Sequence, residues 1–187
     1  MTELALECRC GKVKGRVHSV NLKQGNHLVC YCQSCQNFAN YLQSDVLNEF
    51  GGSDIFQIAP AFISIDLGVD QLKSLKLTDK GVCRWYTDCC KTPIGNTAGA
   101  KIPMVGILRS FIAKDQDINA KIGPIMGNVY VKNLDSPLPQ SMSAPLSEKR
   151  LIFRMIRKIL LWKILAKGTP NPFMNSQGKP IVKPHKI

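Results

Sequence analysis

Cys30-Tyr31-Cys32-Gln33-Ser34-Cys35 packs three thiols into six residues, and its reading decides the fold. Two more thiols stand at Cys8-Arg9-Cys10, and Cys83, Cys89 and Cys90 recur together later in the chain. Thiolates one or two residues apart can converge on a single ion at about 2.3 Å from each sulfur, and a structural zinc takes four such ligands in a tetrahedron. Eight thiols suffice for two centres. A disulfide framework instead needs an oxidising compartment and suits a small chain with too little core. Residues 1–7 show no basic start and no long apolar run, so no secretory signal is legible and a cytoplasmic protein is expected. A Cys-x-Cys bridge would also close a strained ring, whereas two cysteines separated by one strand residue project to the same face.

The 187 residues are 44% apolar, enough to bury a core as one domain with an appendage. The formal charge of +12 is uneven: residues 1–146 carry fifteen Lys and Arg against twelve acids, and residues 147–187 carry ten against Glu148 alone. A cationic partner surface therefore belongs to the C-terminal segment. No run of eighteen apolar residues occurs, which excludes a simple membrane-spanning helix. The nearly neutral body lacks a basic stripe with interleaved aromatics, which argues against nucleic acid.

Outward from the cysteines, residues 4–20 alternate, with Val13, Gly15 and Val17 on one parity and Lys12, Lys14 and Arg16 on the other, as a half-buried strand requires. Residues 27–33 read as a second short strand running into the Cys32–Cys35 knuckle, followed by helical turns between 36 and 47. Strands are predicted at 55–58, 62–67, 73–77 and 82–86, and a weak one within 123–131. Residues 103–117 suit either a strand or a short helix. Residues 136–146, rich in Pro and Ser, read as a linker between a body at 1–135 and a helix at 147–168. Ser147 caps that helix and Gly168 ends it. Leu151, Met155, Ile159, Trp162 and Ala166 line one face, and Arg150, Arg154, Arg157 and Lys158 gather on another. The helix is thus basic and amphipathic, expected to pack on the body with a solvated cationic face or to meet an anionic surface or membrane. Residues 169–187 read as an extended tail.

The order Cys8-x-Cys10-Gly11, Cys30-x-Cys32-x-x-Cys35, then an aromatic strand ending Cys90-Lys91-Thr92-Pro93, resembles the glutathione-dependent formaldehyde-activating enzyme and centromere protein V family over about residues 5–100. The resemblance implies a mainly β (α+β) fold, a β-tent of short antiparallel sheets around cysteine-ligated zinc. It also implies two zinc ions, with Cys8, Cys10 and Cys90 among the structural ligands. Cys30, Cys32 and Cys35 would hold a second, open zinc that acts in catalysis. A small thiol such as glutathione, or its aldehyde adduct, would be the partner, and carbon–sulfur lyase chemistry the activity.

The sequence departs from the family where Thr87 stands in place of a cysteine and Lys91 in place of a glycine. Tyr31 replaces a His between the central cysteines, and Asn40 replaces a Gly. Cys89 can therefore join the first centre, if the backbone turns before Cys90, or close the second. Cys83 reads as a small buried hydrophobe, and His27, three residues before Cys30, as a possible support for the sulfurs. The other function the residues allow is a zinc-stapled binding module acting through its basic C-terminal helix.

Overall fold

The computed structural model describes residues 2–134 and 136–187. Its strands are β1 (Leu4–Glu7), β2 (Lys14–Val17), β3 (Asn26–Cys30), β4 (Ser53–Ile58), β5 (Ile63–Leu67), β6 (Leu72–Lys76), β7 (Cys83–Thr87), β8 (Pro93–Thr97), β9 (Val105–Leu108), β10 (Gly127–Val129) and β11 (His185–Lys186). Its helices are α1 (Gln33–Tyr41), α2 (Ile118–Ile122) and α3 (Glu148–Ile164). The fold is mainly β: one sheet has the order β1-β2-β5 and the other β10-β3-β4-β9-β8-β7-β6-β11. The pairings are antiparallel except at the two edges of the large sheet, where β10 lies parallel to β3 and β11 parallel to β6.

The small sheet alternates as its sequence does. In β2 the side of Gly15 and Val17 is buried while Lys14 and Arg16 are exposed. Gly15 is needed for close approach, because a Cβ there would lie 2.2 Å from the carbonyl oxygen of Ser64 on β5. The alternation over 4–20 resolves into a hairpin, with the turn expected at Gly11 running from Cys8 to Gly11 between β1 and β2.

The large sheet is covered on both faces. Phe56, Trp85 and Ile107 pack with Leu4, Val17 and Ile63 of the small sheet, whereas Ile55, Tyr86 and Leu108 pack on the opposite side with Phe38 of α1 and Leu151 of α3. Consecutive strand residues point to opposite faces, so strands buried on both sides lose their alternation. That is why Val105–Leu108, buried at all four positions, could not be told from a helix by period. The same cause hid β8, whose first residue, Pro93, is tolerated at a strand start.

Two expectations about the C-terminal part are corrected. Residues 169–187 do not hang free: Phe173 is buried with its ring 5.0 Å from that of Trp85, and β11 pairs with β6. Burial of so large an aromatic ring anchors a segment that has little regular structure. The cationic face of α3 is also not simply solvated. Arg154 Nε donates to Asn26 Oδ1 at 2.8 Å, and Lys158 Nζ donates to the carbonyls of Lys23 and Gln24, so two of its cations turn inward. The boundary expected at 135 falls on Asp135, outside the described residues. Among the described residues no helix is long and apolar enough to cross a membrane.

Candidate metal centres

The structure gathers seven of the eight cysteines into two clusters. Cys8, Cys10, Cys89 and Cys90 form one, Cys30, Cys32 and Cys35 the other, and within each the sulfurs lie within 4.8 Å of one another. All eight are free thiols. Cys83 belongs to neither cluster; it is buried in the core between the sheets, where burial pushes its thiol up.

Two turns build the four-sulfur cluster. After β1, Gly11 adopts φ +75° and donates its N–H to the carbonyl of Cys8. Val13 N–H then donates to Cys8 Sγ at 3.2 Å. The second turn follows β7. Adjacent cysteines on an extended strand would face apart, but the chain turns through 88–90 and Lys91 sits at φ +55°, which brings Cys89 and Cys90 to the same ion-sized space. Left-handed backbone is natural for glycine and costs a lysine energy.

Cys89 is therefore the fourth member of this cluster and does not close the other. Measured separations are 3.6 Å for Cys8–Cys10, 4.0 Å for Cys8–Cys89, 3.4 Å for Cys10–Cys89 and 3.8 Å for Cys89–Cys90. Four sulfurs about 2.3 Å from one ion in a tetrahedron stand about 3.8 Å apart. The donor set fits a metal at once.

Thr87, which stands where a cysteine was expected, has its hydroxyl 3.3 Å from Cys90 Sγ, and Thr92 Oγ1 is 3.1 Å away. Burial opposes ionisation of Cys90, but these two hydroxyls and the backbone of Cys10 outweigh it and bring the thiol down to about 5. Burial, then the neighbouring Cys10, push Cys89 up to about 12.

The three-sulfur cluster lies at a strand-to-helix junction. Cys30 ends β3, Cys32 is the N-cap of α1, and Cys35 is in its first turn. The helix begins three residues earlier than the sequence indicated, so the last cysteine is presented by a helix and not by a knuckle. The partial positive charge at a helix N-terminus favours thiolates there. Hydrogen bonds from Cys30 and then Cys35 hold the Cys32 thiol far below its ordinary range, and the same contacts push Cys30 up.

Arg84 completes this site. It extends from β7 and is 3% exposed, with Nη1 and Nη2 at 3.7 and 3.8 Å from Cys35 Sγ and Nη2 donating to Ser34 Oγ at 2.7 Å. Its charge lies 5.4 Å from the Phe38 ring centroid. Its Nε has no partner, and none of the ion pairs among the described residues involves it. A buried guanidinium without a counter-charge is strongly unfavourable. The sulfurs are the anions within reach.

Tyr130 is the other neighbour. Burial, then the charges of Cys30 and Cys32, raise its phenol, so the ring stands within electrostatic reach of the cluster. Its backbone is left-handed at φ 61° and its N–H donates to Glu148 Oε1.

No sequence motif marks Tyr130 or singles out Ser34. Arg84 did leave a trace, as a lone charge inside the apolar strand Cys83-Arg84-Trp85-Tyr86. His27 is not a support for the sulfurs. It lies three residues before Cys30 on β3 and so faces the other way, with Nδ1–H donating to the Gly123 carbonyl at 2.7 Å and Nε2 2.8 Å from Asp54 Oδ1. Tyr31 is buried beneath the 48–52 loop, its hydroxyl accepting from Asn48 Nδ2. A cleft of about 580 Å³ adjoins Cys8 and Cys90 but is lined by none of Cys30, Cys32 and Cys35, so it is not the pocket of the three-sulfur site.

A sequence family spans residues 1–184, nearly the whole chain. The chain belongs to DUF6151, a family of unknown function. No curated protein matches the DUF6151 chain. Three chains of solved structures do. One is the crystal structure of a Rhodobacter sphaeroides protein, a structural genomics target, at 12% identity and a TM-score of 0.43 over 62% of this chain and 93% of that one. A likeness that distant says nothing of function. For the DUF6151 chain, the resemblance to the formaldehyde-activating family thus rests on cysteine order and spacing alone.

Proposed function

We propose that the protein binds two zinc ions with different tasks. Cys8, Cys10, Cys89 and Cys90 would hold a closed ion that fastens β1–β2 to the β7–β8 turn. Cys30, Cys32 and Cys35 would hold an open one, and there the protein would act as a carbon–sulfur lyase on adducts between a small thiol, such as glutathione, and an aldehyde. Tetrahedral all-sulfur donor sets select zinc or iron among the common metals. Free thiols that serve as ligands persist in reducing compartments, which supports a cytoplasmic location.

The observation that carries this reading is Arg84. Three thiolates around a divalent ion leave one negative charge, and the buried guanidinium beside Cys35 neutralises it. A fourth thiolate would leave a second charge with no buried partner.

Zinc with a free fourth position supplies a Lewis acid that lowers the pKa of an entering thiol. The chain's residues account for the remainder. Arg84 holds Cys35 and sets the charge of the site, and Ser34 fixes the guanidinium. In the addition, the entering thiol would give up its proton, its sulfur would bond to the carbonyl carbon, the C=O π pair would move to oxygen, and that oxygen would take up a proton, so none is gained or lost overall. We assign the proton transfer to the Tyr130 phenol on its electrostatic reach to the cluster: it would give the proton to the oxygen and recover one from the entering thiol, and the reverse when the adduct breaks. No histidine stands in that role, since both ring nitrogens of His27 are engaged.

The test is two-dimensional exchange spectroscopy on formaldehyde and glutathione, with zinc content measured on the same samples. Protein-dependent exchange that disappears in Cys35→Ser and weakens in Tyr130→Phe with both ions retained is the expected result. Two bound zincs with no exchange for any small thiol would leave the zinc-stapled binding module. That second reading has its own support in the outer face of α3.

A further inference from the structure

The outward face of α3 is apolar. At 3.6 residues per turn, Phe153, Ile156, Leu160 and Ile164 form one stripe, and it points away from buried Leu151 and Trp162. These four side chains are 63%, 48%, 54% and 81% exposed, too much for a helix whose apolar side has found its place in the core. The same periodicity puts Arg150 and Arg157 along one border of the stripe and Lys149 and Lys163 along the other, all exposed. None of these four cations is in an ion pair among the described residues. The helix has one acid, Glu148, whose carboxylate is engaged by Tyr130 N–H, and no acid follows it in the chain.

We propose that α3 seats the protein on an anionic lipid surface, lying in the plane of the interface with Phe153, Ile156, Leu160 and Ile164 among the upper acyl chains and the bordering cations at the headgroups. Charge complementarity selects this occupant. An apolar stripe with cations on both sides and no anion matches a negative membrane surface, where long basic side chains keep their stems in the apolar layer and their charges in the headgroups. A second copy of the chain would set these cations against their equivalents with no acid to relieve them. A short peptide partner would need a groove, and the outward face of a helix packed on the body offers a ridge. The inward turn of Arg154 and Lys158 to Asn26, Lys23 and Gln24 fixes the roll of the helix and keeps the stripe outward.

Co-sedimentation with phosphatidylcholine vesicles, with and without phosphatidylserine, tests the proposal on the full-length, zinc-loaded protein. The expected result is binding to the phosphatidylserine vesicles that weakens with salt. Arg150→Gln with Arg157→Gln should lower the partition coefficient more than tenfold, at about fivefold per cation near an anionic surface. Phe153→Ser with Leu160→Ser should abolish binding. These residues are exposed and belong to neither cysteine cluster, so zinc content and melting temperature should stay unchanged and show that the variants fold. Failure to bind phosphatidylserine vesicles at low salt would overturn the proposal, as would undiminished binding of the serine variant. A dimer dispersed by Phe153→Ser would overturn it in favour of a second copy, and capture by an acidic protein without vesicle binding would do so in favour of a protein partner.

Discussion

The two cysteine clusters use the same ligand atom and differ in nearly everything around it. One has four sulfurs, spaced 3.4–4.0 Å along the separations measured, with Cys10 exposed and two surface turns closing on it. The other has three, two of them buried, at the start of a helix and beside a buried arginine. A closed tetrahedron near solvent can fasten loops but has no position to give away. A three-sulfur site with its charge balanced internally keeps one free. The number of sulfurs and the handling of charge, more than the identity of the ligands, separate a fastening from a reactive centre.

The largest expected effect comes from breaking the fastening. Cys89→Ser should release the ion that joins β1–β2 to the β7–β8 turn. Structural zinc contributes on the order of 10 kcal/mol of apparent binding free energy, comparable to the whole stability of a typical domain. The variant should lose a cooperative thermal transition, as should the wild-type protein after a strong chelator. A transition within a few degrees of wild type would show that the four-sulfur site is not structural.

Next comes the three-sulfur cluster. Arg84→Met should weaken metal binding at Cys30, Cys32 and Cys35 by about 10–100-fold, the usual effect of losing a partner behind a ligand. The four-sulfur site should keep its ion. Competition with a chromophoric chelator, resolving two classes of zinc, measures both; equal weakening at both sites would erase the distinction.

His27 is a control that involves neither cluster. Burial alone would lower its pKa, but the hydrogen bond and charge of Asp54 and the Gly123 carbonyl outweigh it, and the net shift is upward. A raised folded pKa stabilises fully below the unfolded value near 6.5 and the gain fades as pH rises through the folded value. Denaturant melts should therefore show stability falling as pH rises above about 6.5. In His27→Gln that fall should be absent, and a matching slope in the variant would assign it to other groups.

The smallest effect concerns Lys91. Glycine at φ +55° removes about 1–2 kcal/mol of backbone strain, while the exposed Lys91–Asp88 pair at 2.6 Å is screened by water and contributes little. Lys91→Gly should therefore raise the melting temperature slightly. A clear drop would mean that the ion pair, and not the backbone, fixes the turn.

What the sequence made legible follows the same divide between local and tertiary cause. Cysteine spacing is local, so the grouping of thiols could be read directly, and β2 alternates because one of its faces meets solvent. The fourth ligand could not be assigned, because it depends on a left-handed lysine that nothing in Cys89-Cys90-Lys91 advertises. Arg84 is an ordinary charge in the sequence and becomes a site residue only when β7 is laid across from α1. For α3 the start was legible from Ser147, but the helix ends at Ile164, before Gly168, and Ala166 takes the left-handed turn at φ 51°. Its packed side was legible as well, since buried Leu151 and Trp162 lie on the face the sequence marked, whereas the inward bonds of Arg154 and Lys158 to the body were not.

Zinc K-edge absorption spectroscopy in thiol-free buffer, with metal stoichiometry on the same sample, tests the contrast between the two centres most directly. Seven sulfurs shared by two ions give two zincs per chain and about 3.5 sulfurs per zinc, with one lighter ligand at the open site. One zinc per chain, or four sulfurs around each of two, would contradict the account.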